Sequence, residues 1–203
     1  MYRSFVFGML SIIIFISSCE NGKSINTEEK IYLTSIREDF IKHKEDVTTI
    51  NEINSKIVMR IDSLFQGSRK DTLNTDLIKG IMNTRSYTLT ITAYKNILNG
   101  NYITNDELKI RIARHIAQFE GLAMSKRSWD AQWDMTARPY LYKYGLFSKP
   151  GITTEKKNLI ADPEFKAVLW DRRMFAHDVE IWTPRILSSA DSVITTIDVL
   201  LKS

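Results

Sequence analysis

The stretch from Thr27 to Phe65, TEEKIYLTSIREDFIKHKEDVTTINEINSKIVMRIDSLF, contains neither proline nor glycine, and its reading decides the fold class. The positions Leu33, Ile36, Phe40, His43, Val47, Ile50, Asn54, Ile57, Ile61 and Leu64 fall at gaps that alternate three and four. Such spacing is a helical heptad seam, sustained here over about five repeats. Further apolar residues at Ile31, Ile41, Ile53 and Val58 widen the stripe, as expected of a helix that meets more than one neighbour. Thr27 can cap the helix, with Glu28 and Glu29 in the first turn where the dipole favours acids, and Gly67-Ser68 end it.

Two more segments carry the same signature. Thr104-Asn105-Asp106-Glu107 reads as a capping box, with Thr104 as the cap. The seam Leu108, Ile112, His115, Phe119, Leu122, Lys126, Trp129, Trp133 follows it. Pro139 restricts the residue before it, so this helix is expected to end near Ala137. Asp162-Pro163 is a cap followed by a first-turn proline. From there Phe165, Val168, Arg172, Phe175, Val179, Trp182, Ile186, Ser189, Val193, Thr196 and Leu200 hold one register across Pro184. The intact register predicts a kink at Pro184 rather than a break. Asn74–Met82 and Thr92–Leu98 read as short helices, the second stopped by Asn99-Gly100, with an irregular link around Tyr87, Leu89 and Ile91. Residues 140–160, with Gly145, Pro150 and Gly151, read as the other connection. The expected architecture is all-α: an up-down helical bundle of four-helix type, made of three long helices and one broken segment and spanning residues 27–203 as a single domain.

The amino terminus reads as an address. MYRSFVFGMLSIIIFISSC starts with the basic Arg3, continues as an apolar run from Phe5 to Ile16, and reaches Cys19 through Ser17 and Ser18. The run suits a signal-peptide core and is short for a membrane span. Ile16-Ser17-Ser18-Cys19 resembles a bacterial lipobox, in which the cysteine becomes the acylated first residue. Residues 1–18 are then a lipoprotein signal peptide, Cys19 the lipidation site and 19–26 a lipidated tether. Several acyl chains anchor stably where one would be marginal. A plain signal peptide or start-stop anchor is the other reading of this segment.

Tyr32-Leu33-Thr34-Ser35-Ile36-Arg37-Glu38-Asp39, with Thr92-Ala93-Tyr94-Lys95-Asn96-Ile97-Leu98-Asn99-Gly100-Asn101 and then Asn105, Glu107 and Leu108, resembles a domain-of-unknown-function family of small single-anchor envelope proteins of Bacteroidota. The resemblance covers residues 28–135. It implies a helical envelope domain and, with the lipobox-like anchor, the outer membrane rather than the inner. Members usually carry an amino-terminal transmembrane helix, so the anchor departs from the pattern. The family brings no catalytic or binding residues with it.

Composition narrows the function. The chain has 203 residues, 43% of them hydrophobic, and one cysteine, which fits a globular domain without intrachain disulfides. Removing Arg3 leaves 27 basic and 24 acidic residues, a net +3 too small and too evenly spread to imply nucleic acid. His43 and His115 occupy seam positions and His177 stands beside Asp178. A metal would need them to face each other with a carboxylate such as Glu120, and the Glu-x-x-His pattern of bundle di-iron sites does not occur. His43, Asn54, Lys126 and Arg172 read instead as polar interruptions that fix register or emerge at bundle edges. No nucleophile elbow or phosphate loop is present, so no cofactor, metal or enzymatic role is expected.

Arg127–Phe147, RSWDAQWDMTARPYLYKYGLF, is the candidate binding segment, through Trp129, Trp133, Arg138, Tyr140, Tyr142, Tyr144 and Phe147. Trp, Tyr and Arg dominate binding hot spots. Equally, Trp129 and Trp133 share a helix face and can finish the core, with the tyrosines packed across the bundle end. In an extended loop Tyr140, Tyr142 and Tyr144 would project to one side. The expected role is a non-enzymatic lipoprotein that docks another envelope component, held to the membrane by its lipid anchor. The alternative is a periplasmic small-ligand or glycan-binding sensor.

Overall fold

A computed structural model describes residues 25–66, 75–82, 102–143, 159 and 161–202. Among these the elements are α1 (Thr27–Phe65), α2 (Thr75–Met82), α3 (Asp106–Gln132), a π-helical turn (Trp133–Ala137), α4 (Arg138–Lys143) and α5 (Pro163–Lys202), with no strand. The protein is an all-α helical bundle with three long helices of 39, 27 and 40 residues. The short helix expected at Thr92–Leu98 lies outside the described residues, as do Cys19 and the signal segment. Among the described residues no helix is long and apolar enough to cross a membrane.

α5 is the organising helix and packs against both α1 and α3. At one end Leu33, Ile36 and Phe40 of α1 meet Leu108 and Ile112 of α3 and Val193 and Ile197 of α5. At the other end Ile57, Ile61 and Leu64 of α1 meet Ile78 and Ile81 of α2, Tyr140 and Leu141 of α4, and Phe165 and Leu169 of α5. α1 and α3 therefore run parallel to each other and antiparallel to α5. A middle cluster holds Val47, Phe119, Leu122, Trp129, Phe175, Val179 and Ile186. Every seam position of α1 except the half-buried Ile50 is buried. Each fully buried Leu, Ile or Phe contributes about 1.5–3 kcal/mol. That outweighs the weak helix propensity of the Thr- and Asn-rich centre of α1. Ile31 departs from the widened stripe and is exposed.

Two polar layers separate the three apolar clusters. His43, His115 and Ser189 form the first, and Asn54 with Arg172 the second, and all five are buried. The sequence places these interruptions at seam positions, and they lie inside the bundle rather than at its edges. Lys126 does reach the edge, where it pairs with Asp130. On the surface Arg37–Asp198, Lys44–Asp191 and Arg173–Asp62 tie α1 to α5 at three heights. Exposed pairs of this kind add little stability singly, but they agree with one register.

The helix starts differ from the sequence expectation by one residue. Asn26, not Thr27, caps α1, and its Oδ1 accepts from the Glu29 amide at 2.7 Å. Asn105, not Thr104, caps α3, accepting from the Leu108 amide at 2.8 Å. Thr104 instead bridges two helix starts. Its amide and hydroxyl both donate to the buried Glu29 carboxylate at 2.9 Å, fastening the start of α3 to that of α1. Glu107, released from the expected capping box, pairs with Arg111. Asp162 caps α5 as expected, its Oδ1 accepting from the Glu164 amide at 2.8 Å. α5 continues without interruption through Pro184.

The larger correction is at Pro139, where the helix continues to Lys143 instead of ending near Ala137. In a regular α-helix the proline ring would crowd the Met135 carbonyl. Here the chain widens into a π-turn in which the Arg138 amide bonds to the Trp133 carbonyl five residues back, and the wider turn admits the ring.

Candidate functional site

The end of α3, the π-turn and α4 hold the described part of the aromatic segment, and the helix sorts its residues by face. Trp129 is 3% exposed and stacks on Phe175, with ring centroids 6.0 Å apart and planes 13° from parallel. Trp133, half-buried, lies 5.9 Å from Trp129 and touches both the middle and the end clusters. Tyr140 is 2% exposed, stacks on Phe165 and donates its hydroxyl to Asp162 Oδ2 at 2.7 Å. That hydrogen bond, joined by the amides of Glu164 and Phe165, holds the Asp162 carboxyl below its ordinary range. One carboxylate thus caps α5 and anchors α4.

The outer face is different. Met135 is 70% exposed and Tyr142 63%, with exposed Arg138 and Pro139 between them. Arg138 pairs with Asp134 one turn back at 3.0 Å. Tyr140 and Tyr142 are two residues apart on a helix, so they point to nearly opposite sides, one inward and one outward. The one-sided tyrosine comb expected of an extended loop does not apply to them. Tyr144 and Phe147 lie outside the described residues.

The histidines do face each other. His43 and His115 meet edge to face with ring centroids 5.1 Å apart, flanked by Phe40 and Phe119. His115 Nδ1 lies 2.8 Å from Ser189 Oγ, and the Ser189 hydroxyl donates to the Ile186 carbonyl. The hydroxyl has one hydrogen, so His115 donates from Nδ1 and carries its proton there. Burial pushes the His43 pKa down to about 4, and Asp46 opposes this only in part. Burial and the proximity of His43 push His115 to about 3. Both rings are neutral at neutral pH, and among the described residues no group of three or more metal-ligating side chains comes together.

The second polar layer centres on Arg172, 1% exposed. Its Nε donates to the Ile81 carbonyl at 2.8 Å and one terminal nitrogen donates to Asn54 Oδ1 at 3.0 Å. The guanidinium lies 5.3 Å from the Phe175 ring centroid and 5.6 Å from that of Trp129. The inner half of the aromatic segment therefore seats a buried cation, a link absent from the sequence reading because Trp129 and Arg172 lie on different helices.

The sequence reading also missed a cleft on the flank of the bundle. Arg111, Arg114 and Gln118 of α3 face Arg185, Ser188 and Ser192 of α5 across it. The spacing of Arg111, Arg114 and Gln118 at three and four residues was a legible sign that they share a helix face. Their convergence with Arg185 required the packing. No protein-family model, curated protein or solved structure matches this chain.

Proposed function

We propose that this protein is a non-enzymatic lipoprotein of the cell envelope, anchored through Cys19 at the outer membrane, whose bundle docks another envelope protein through the π-turn and α4. The observation that carries the reading is the division of this element into two faces. Ala137, Tyr140 and Leu141 bury the inner face, so Met135, Arg138 and Tyr142 stand on a rigid support. A preset surface of large side chains loses little entropy on binding, and Met, Tyr and Arg are residues that contact surfaces favour. The glycan-sensor alternative needs aromatic rings lining a pocket, whereas the Trp129 and Tyr140 rings fill core space.

The test is cross-linking in the native envelope followed by purification, comparing wild type with Cys19→Ala and with Met135→Ala/Tyr142→Ala. Both residues of the last pair are exposed, so its helicity should match wild type. A stoichiometric protein partner captured by wild type and lost in the Met135/Tyr142 variant is the expected result. Equal capture by that variant, or no partner for an acylated wild type, overturns the proposal.

A further inference from the structure

The cleft between α3 and α5 has a volume of about 310 Å3 and is lined by Arg111, Arg114, Arg185 and two exposed or half-exposed serines, Ser188 and Ser192. The charges of its arginines are unequally matched. Arg111 is committed to Glu107, through Nε at 3.1 Å and a terminal nitrogen at 2.5 Å, and also reaches the Ser192 hydroxyl. Arg114 and Arg185 have no carboxylate partner among the described residues. Arg185 is instead held over the Trp182 ring, 5.2 Å from its centroid, which fixes the guanidinium without neutralising it. Trp182 is itself seated on Gly121 of α3, where a Cβ would fall 2.5 Å from its Cζ2. The cleft floor is polar as well: Ser189 lines it and is locked from behind by His115.

We infer that this cleft binds a phosphate group. Two uncompensated guanidinium forks beside hydroxyl donors match the several oxygens of a tetrahedral oxyanion, because each fork offers paired donors to two oxygens. The cleft is open to solvent, so the phosphate can belong to a larger molecule whose remainder projects outward. The inference is independent of the docking face. Arg114 and Met135 are 21 residues apart, about 30 Å along a helix at the usual rise.

The test uses the full chain in detergent micelles and inorganic phosphate as the probe, against chloride at matched ionic strength. Affinity is read from the phosphate-dependent rise in Tm and from Trp182 emission, since Arg185 lies on that ring. Arg114→Gln/Arg185→Gln should bind at least tenfold more weakly. Lys42→Gln/Arg127→Gln removes the same charge from exposed positions outside the cleft and should bind as wild type does. Equal affinity in the cleft variant, equal loss in the control variant, or no binding by wild type overturns the inference. Vesicles then assign the source. A preference for phosphatidic acid over phosphatidylserine at matched surface charge, lost in the cleft variant, identifies a lipid headgroup; phosphate binding without that preference identifies a free phosphate.

Discussion

The His43–His115 pair makes the stability of this bundle depend steeply on pH, in a window where carboxylates have little to contribute. Both rings are held neutral, with folded pKa values of about 4 and about 3 against an ordinary value of 6.5. Because the folded values are depressed, the unfolded chain takes up protons first as pH falls. Stability is therefore complete above the ordinary histidine value and drains away below it. The linkage integral gives a loss of about 2 kcal/mol per histidine between pH 7 and pH 5, hence about 4 kcal/mol for the pair, and about 2 kcal/mol more by pH 4. Against a typical domain stability of about 5–15 kcal/mol this is a large share, and it unfolds the bundle between about pH 5 and pH 4 if the stability at pH 7 is at the low end of that range. The assay is urea unfolding followed by circular dichroism across that range. His43→Leu, close in volume and leaving the His115–Ser189 bond in place, should change stability at pH 7 by less than about 1.5 kcal/mol. The same variant should halve the loss on going to pH 5, to about 2 kcal/mol. Identical pH slopes for wild type and His43→Leu, or a wild-type loss below about 1 kcal/mol, would show that the rings are protonated or hydrated in the folded state and refute the reasoning.

Two further perturbations test the packing. Asn54→Ala removes the Oδ1 acceptor of a buried Arg172 hydrogen bond, and should cost about 1–3 kcal/mol by denaturant unfolding, well beyond the usual surface substitution. Gly121→Ala forces the Trp182 ring off α3, because the new Cβ would lie 2.5 Å from Cζ2. Overpacking of about 1–3 kcal/mol then exceeds the gain of about 0.5–1 kcal/mol from replacing a helical glycine. A lower Tm with red-shifted tryptophan emission is the expected result, and an unchanged spectrum with a higher Tm would show that the ring has room to move.

The three long helices were legible because each stripe repeats over many turns, so that single exceptions such as the exposed Ile31 do not disturb the pattern. The caps were off by one because Asn26-Thr27 and Thr104-Asn105 each place two good capping residues side by side, and local chemistry does not choose between them. Glu29 decided the second case by drawing Thr104 across to α1, a long-range contact invisible to any local rule. Pro139 misled for a related reason. A proline forbids a regular helix but tolerates a widened turn, and the burial of Tyr140 and Leu141 stabilises that turn. Of the candidate site, the residue types and the inward turn of Trp129, at a seam position four residues before Trp133, were legible, and the opposed faces of Tyr140 and Tyr142 were not. Trp129 and Tyr140 turn inward, while the arginine cleft is assembled from two segments about seventy residues apart.

The central place of α5 has a consequence for how the molecule comes into being. It supplies a wall of every apolar cluster, yet it is the last element of the described chain, and its tie to α1 through Arg37–Asp198 spans 161 positions. A nascent chain that has emerged only as far as residue 162 carries two long apolar stripes without the helix that contributes to all three clusters. Closing so long a loop precedes any reward from burial, which slows assembly and prolongs exposure of the stripes. The chain thus collapses only once its carboxyl-terminal helix has arrived, and until then its apolar stripes stay open to proteases and to one another.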